Sequence, residues 1–209
     1  MLKKLIVVLA VLSSTILLAQ EDLKRYSAKV YYGYADDSDF GEILTFQGKK
    51  SSLDTTIAGF DMGYMFAHKA FGLPIDFYLK GGYSRYFENG YQDDLNELNA
   101  LVKLYYNIDF YDNRVRVGLG EGGSYVWGVP TIELSEAMED STTNPKNSKY
   151  LNYIDVSIDF DIGRLIDVES MKDTYIGYSL KHRSGIFGLI NGVRKGGSNY
   201  NTLYLEMNF

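Results

Sequence analysis

The stretch Tyr150–Ile162, YLNYIDVSIDFDI, alternates apolar and polar side chains from Ile154 onward. One face of an extended chain would carry Ile154, Val156, Ile158, Phe160 and Ile162. The opposite face would carry Asp155, Ser157, Asp159 and Asp161. Strict alternation over this length predicts a β-strand. Carboxylates repeated along one face cannot pack against a dry core, but they can line the polar interior of a barrel whose apolar face meets lipid.

The same alternation recurs along the chain and predicts eight strands. They span roughly residues 26–35, 56–66, 74–86, 97–109, 114–127, 149–163, 173–184 and 198–209. An even number of antiparallel strands can close into a barrel, and side chains fill the interior of an eight-stranded one. The expected interior is an ionic network without a pore, in which basic residues pair with acidic ones: Lys29, Lys80, Lys103, Arg116 and Lys181 with Asp61, Asp155, Asp159 and Glu206.

The N-terminal residues indicate export. Two lysines follow Met1, and an apolar run from Leu5 to Leu18 is broken only by two serines and a threonine. Residues 1–20 are therefore predicted to be a signal peptide, and residues 21–209 a single barrel domain. The long predicted connections, 36–55, 87–96, 128–148 and 185–197, would be extracellular, because outer-membrane barrels have short periplasmic turns. Both termini of the barrel would then be periplasmic.

The composition narrows the class of protein. The chain has 19 tyrosines, 11 phenylalanines and 21 glycines, carries a net charge of −6 and contains no cysteine. An acidic chain without a basic stripe argues against nucleic acid as a partner, and nothing indicates a cofactor or a metal. Alternation alone does not show which face is inside, so a soluble β-sandwich or lipocalin-like barrel is the alternative. The signal peptide, the aromatic content and the terminal Phe209 favour an all-β, eight-stranded antiparallel transmembrane barrel in the outer membrane.

The candidate catalytic residues lie near the outer end of the seventh predicted strand. His182 and Ser184 share the face of Leu180, which is the lipid face, whereas Lys181 and Arg183 point inward. A polar group that faces lipid costs free energy unless it has a function there or reaches the lipid headgroups. A histidine beside a serine offers a general base and a nucleophile. Counting back from Phe209 places Asn199 and Asn201 on the same face, where either can orient the imidazole.

Other polar features of the sequence are predicted to be exposed to solvent. The acidic segments Asp36–Asp39 and Glu133–Asp140 are interpreted as solvated loops, with divalent-cation binding as the alternative. His68, in a short connection without a cluster of partners, is predicted to be a solvated surface residue.

The segments His182-Arg183-Ser184 and Gly197-Ser198-Asn199-Tyr200 resemble the outer-membrane lipid A 3-O-deacylases, which are eight-stranded barrels with a lipid-facing active site. The resemblance implies Ser184 as nucleophile and His182 as base. It implies lipid A of lipopolysaccharide and outer-membrane lipid as partners, and removal of an ester-linked acyl chain as the reaction. The family's acidic residue falls on Asn199. Gly185 stands where the family has an asparagine associated with the oxyanion hole, which makes Gly185 the oxyanion candidate. The alternative is a non-catalytic eight-stranded barrel that serves as a structural or surface-interaction protein.

Overall fold

The computed structural model describes residues 23–140 and 145–209. The predicted signal peptide lies outside these residues. Eight antiparallel strands form a closed barrel in chain order. They are β1 (Tyr26–Asp36), β2 (Thr56–Ala67), β3 (Ile75–Phe87), β4 (Leu95–Phe110), β5 (Asn113–Val126), β6 (Tyr150–Asp161), β7 (Thr174–Ser184) and β8 (Ser198–Asn208). The predicted fold is confirmed, with every strand boundary within two residues of its expected position.

Charged residues fill the interior as predicted. The Asp155 carboxylate accepts hydrogen bonds from Lys29 Nζ at 3.0 Å and from Lys103 Nζ at 2.6 Å. Lys80 Nζ donates to Glu206 at 2.6 Å. All of these side chains are buried. Because a buried charge is tolerated only when it is paired, the network accounts for charges on alternate positions of strands that are otherwise apolar.

The outer face of the strands is apolar and exposed. Its side chains include Val30, Tyr32, Phe60, Met62, Leu79, Leu98, Leu119, Ile176, Leu203 and Leu205. An apolar surface of this extent encircling a barrel is not tolerated in water, and the arrangement is that of a membrane barrel. The soluble alternative, which would turn its apolar face inward, is therefore wrong.

The two ends of the barrel differ. The start of β1 meets the end of β8 at the end with short connections, where Tyr26 and Phe209 exchange backbone hydrogen bonds of 3.0 and 2.9 Å. At the other end the long connections hold two helices, α1 (Phe40–Leu44) and α2 (Thr131–Asp140). Buried Ile132 of α2 joins the apolar cluster at that mouth, so α2 closes the barrel there.

The remaining helical segments lie in the short connections. They are α3 (Ile162–Leu165) and single 3-10 turns at Ala70–Gly72 and Glu169–Met171. No helix in the described part of the chain is long and apolar enough to cross a membrane.

Candidate active site

Strand β7 holds His182 and Ser184 on the outside of the barrel. The residues between and before them point inward: Lys181 Nζ donates to the hydroxyl of Tyr153, and Arg183 Nη1 donates to Glu133. Because side chains alternate along a strand, these inward contacts fix the outward direction of the histidine and the serine. Both outward residues are half-buried rather than fully open to the surface.

Asn199 fixes the orientation of the His182 ring. The two residues are cross-strand partners between β7 and β8, and His182 Nδ1 lies 2.7 Å from Asn199 Oδ1. Asn199 Nδ2 donates to the carbonyl of Ser38 at 2.8 Å, which turns the amide oxygen toward the ring. His182 Nδ1 must then donate its proton, and the lone pair is left on Nε2. This is the tautomer that a general base requires.

Ser184 shares a cavity with the histidine without being bonded to it. The cavity measures about 580 Å³, and its lining includes His182, Ser184, Gly185 and Asn199. No hydrogen bond joins Ser184 Oγ to His182 within residues 23–140 and 145–209. Catalytic hydrogen bonds are often long before substrate binds and tighten in the complex. The cavity thus brings together all four of the predicted site residues.

The first loop, residues 37–55, covers part of this face. Asp36 continues the outward row of Tyr32 and Tyr34, yet it is only 1% exposed. Its carboxylate accepts from Asn201 Nδ2 at 2.6 Å and from the backbone amides of Ser38 and Lys49 at 2.8 and 3.0 Å. The interpretation of Asp36 as part of a solvated loop is wrong, because Asn201 ties it to β8 and the two backbone amides tie it to the first loop. The same interpretation is wrong for Glu133, which is buried in α2 and accepts from Arg183 and Ser198.

Helix α1 in this loop reaches the histidine. The ring of Phe40 lies with its centroid 4.6 Å from that of His182. Together with the Ser38 carbonyl, which holds Asn199, this contact makes the first loop part of the site. The sequence pattern did not indicate it. The one signal available in the sequence was that Asp36 occupies a position of β1 whose side chain would face lipid.

Gly185 is held tightly at the end of β7. A Cβ atom at this position would lie 2.1 Å from the carbonyl oxygen of Val193, so no larger residue fits. Among the described residues no backbone carbonyl accepts the Gly185 amide. Packing therefore accounts for the glycine at this position, and its backbone N–H remains free to bind an anion.

Charged residues from other elements complete the cavity. Glu121 of β5 faces outward in the same row as His182, with Ile154 between them. Arg194 and Lys195 contribute cations, and Glu136 of α2 contributes a carboxyl group. Burial, together with the neighbouring acids Asp39 and Glu139, raises the pKa of Glu136 to about 7.

The second histidine lies away from this site. His68 Nδ1 is 2.7 Å from Asp76 Oδ1, and the same carboxylate oxygen accepts from the backbone amide of Lys69. Its predicted role as a solvated residue without partners is wrong. It ties a short connection to the nearby mouth of the barrel.

The fold and this exterior site define the chain as an eight-stranded barrel of the outer-membrane type. No protein-family model and no curated protein matches it. Among solved structures it is similar to the outer membrane enzyme PagL, with a TM-score of 0.57 and 10% identity over 88% of this chain and 99% of that one.

Two further structures are less similar. Neisserial surface protein A gives a TM-score of 0.48, 10% identity and coverage of 90% of this chain and 98% of that one. The N-terminal barrel domain of Pseudomonas aeruginosa OprF gives a TM-score of 0.42, 12% identity and coverage of 88% of this chain and 98% of that one. At such identities the likeness to PagL shows the fold.

Proposed function

We propose that this protein is an outer-membrane esterase that removes an ester-linked acyl chain from lipid A, with Ser184 as nucleophile, His182 as general base and Asn199 as the group that orients the imidazole. The observation that carries the proposal is the hydrogen-bond chain from the Ser38 carbonyl through Asn199 to His182 Nδ1. It leaves Nε2 unprotonated in a cavity that also holds Ser184. The similarity to PagL, an outer membrane enzyme, supports the location.

In the acylation step, Ser184 Oγ attacks the carbonyl carbon of the ester and its proton passes to His182 Nε2. The π electrons of the carbonyl move onto its oxygen, and the Gly185 N–H donates to the resulting oxyanion. Collapse of this intermediate re-forms the carbonyl and breaks the bond to the sugar oxygen. That oxygen takes the proton from His182, and the acyl chain remains on Ser184.

Water completes the reaction. His182 Nε2 accepts a proton from a water molecule as its oxygen attacks the acyl-serine carbonyl. The second intermediate collapses with Ser184 Oγ as the leaving group, which recovers the proton from His182. The product is the free fatty acid, and the enzyme is regenerated. Asn199, which is neutral, holds the ring throughout but adds no charge to stabilise the imidazolium.

The surroundings of Ser184 suit an anionic glycolipid. The site lies at the end of the barrel with the long connections, which we assign to the outer leaflet. Arg194 and Lys195 line the cavity and can pair with phosphate groups of a headgroup. The ester of a lipid lies where its headgroup meets its acyl chains, and Ser184 occupies the corresponding boundary between polar loops and apolar strands.

A shallow apolar cavity beside the site offers room for an acyl chain. It measures about 570 Å³ and is lined mainly by glycine, alanine and aromatic residues, including Phe60, Gly81, Leu98, Ala100, Gly123 and Tyr150. Gly81, Ala100 and Gly123 are successive cross-strand partners, and the same row continues through Asn152 to Ser184. At about 4.8 Å per strand, β5 lies about 10 Å from β7. A chain attached at the serine could follow this row.

A non-catalytic barrel is the second candidate. The observation that favours it is the missing hydrogen bond between Ser184 and His182, together with the neutral Asn199 beside the ring. Its loops would then serve contacts with the envelope or with another protein.

Mass spectrometry of lipid A separates the two candidates. Lipid A would be extracted from cells that express the wild type, Ser184→Ala or His182→Ala at equal levels in the outer membrane. The proposal predicts loss of one acyl chain with the wild type alone. Intact lipid A in all three strains would overturn the esterase and support the non-catalytic barrel. Equal loss with wild type and Ser184→Ala would overturn the residue assignment.

A further inference from the structure

Asn152 lies directly beside the proposed nucleophile. It is the cross-strand partner of Ser184 between β6 and β7. Neighbouring side chains of the same strand fix its direction, because Tyr153 and Asp155 point into the barrel and bond to interior lysines. Asn152 therefore faces outward, and directly opposed residues have Cβ atoms about 5 Å apart.

The side chain of Asn152 is almost removed from solvent, and none of the described residues is hydrogen-bonded to it. It is 6% exposed, and no hydrogen bond to its amide is found in the described ranges, 23–140 and 145–209. It lines the same cavity as His182, Ser184 and Gly185. Buried amides are almost always hydrogen-bonded, since leaving one unpaired in an apolar setting is costly. An unpaired amide that opens onto a cavity points to a ligand that will bond to it.

Two other buried asparagines on this face make the contrast clear. Asn199 bonds to the Ser38 carbonyl and to His182, and Asn201 donates to Asp36. Both are committed to holding the first loop and the ring. Asn152 has no such contact with any residue that the structure describes, although it is buried to the same degree.

The proposed reaction needs a donor at this place. An oxyanion in ester hydrolysis is usually held by more than one preorganised donor, and Gly185 N–H supplies one. We propose that the Asn152 side-chain amide donates the second hydrogen bond to the oxyanion that forms when Ser184 attacks an ester. Asn152 is then a catalytic residue, an assignment that rests on the esterase function proposed above. Its Nδ2 makes its best bond only after the carbonyl oxygen has gained charge.

Steady-state release of fatty acid from purified lipopolysaccharide in detergent micelles tests the assignment. Asn152→Ala is expected to lower kcat by about 10²–10³-fold, the usual effect of losing one oxyanion donor. KM should change little, because the bond is made in the transition state rather than with bound substrate. Asn113→Ala is the matched control. Asn113 is also a buried strand asparagine, but it lies at the opposite end of the barrel, where its Oδ1 accepts from the backbone amide of Arg114, and its removal should leave kcat unchanged.

Asn152→Asp gives a readout that a structural role would not produce. The carboxylate has nearly the same shape but repels an oxyanion, so its kcat should fall below that of Asn152→Ala at pH 8. At lower pH the protonated carboxyl can donate, and the deficit relative to Asn152→Ala should shrink. Wild-type kcat in folded Asn152→Ala, or in Asn152→Asp at pH 8, would overturn the assignment. An inactive wild type would instead overturn the proposed function.

Discussion

The barrel interior and the outward cavity around Ser184 hold polar residues for different reasons. Inside, the set around Lys80 is closed: Lys80 donates both to Glu206 and to the hydroxyl of Tyr105, which itself donates to the same carboxylate. In the outward cavity, the hydrogen bonds run from the first loop through Asn199 and stop at His182. Closed pairing stabilises a fold, whereas a chain that ends in an unpaired base beside a hydroxyl is suited to a substrate.

The largest expected effect lies in the outward cavity. Ser184→Ala should abolish acyl release, with a loss of at least about 10⁴-fold, because the nucleophile and its base act as a unit. The barrel should fold normally, since Ser184 Oγ makes no hydrogen bond within the described parts of the chain. Fatty-acid release and the midpoint of urea unfolding in micelles would be measured together. A variant that lost stability as well as activity would break the contrast with the interior.

The interior should show the reverse behaviour. Asp155→Ala removes the shared partner of Lys29 and Lys103. Among the described residues, it leaves the buried ammonium group of Lys103 without a carboxylate and that of Lys29 with Asp61 alone, at 3.8 Å. Breaking such a pairing costs about 3–5 kcal/mol of unfolding free energy, and urea unfolding in micelles would detect it. Asp37→Ala, which changes an exposed acid of the first loop, serves as the control, with an expected change within about 0.5 kcal/mol. A stable Asp155→Ala variant would mean that the interior network is not closed.

Orientation of the imidazole should matter less than the nucleophile. Asn199→Leu removes the acceptor of the His182 Nδ1 proton, so the tautomer with an unprotonated Nε2 is no longer preferred. The expected loss in kcat is about 10²-fold, the lower end of what a positioned general base provides. Asn208→Leu, at the other end of β8, is a control of the same type. Unchanged kcat in Asn199→Leu would show that the ring is oriented by something else, such as Phe40.

The parts of the molecule that follow from alternation could be predicted. Strand number, the inward charges and the outward direction of His182 and Asn199 all depend on parity, which is local. Parity does not give the register between β6 and β7, so the pairing of Asn152 with Ser184 was not accessible. The burial of Asp36 was also missed, because it depends on contacts with Asn201 across the barrel closure and with Lys49 within a loop that has no periodic pattern.

The apolar cavity beside the site should affect the selectivity for acyl-chain length more than the rate with short chains. Ala100→Leu would fill it at its middle, and we expect about a tenfold lower kcat/KM for a long acyl chain, in line with the effect of a few methylenes in a pocket. Short acyl chains should be released at the wild-type rate. Val102→Leu, on the same strand and face but outside the cavity, is the control. Equal effects on long and short chains would exclude this cavity as the acyl site.

The smallest expected effect concerns pH. The pKa of Glu136 is raised to about 7 by burial and by its acidic neighbours, whereas the unfolded chain has an ordinary glutamate. Between about pH 4.3 and 7 the folded state keeps a proton that the unfolded state has lost, so stability falls as pH rises through this range. Glu136→Gln should remove that slope and raise the thermal midpoint at pH 8 but not at pH 4. A parallel pH dependence in wild type and Glu136→Gln would contradict this.

The most direct test of the outward cavity as an esterase site is covalent labelling with a fluorophosphonate, which reacts with serines activated by a base. Wild-type protein in micelles would be treated, digested and mapped by mass spectrometry beside His182→Ala and Ser184→Ala. The account predicts an adduct on Ser184 in the wild type that is lost in both variants. No adduct in folded wild-type protein, or equal labelling of Ser184 without His182, would contradict it.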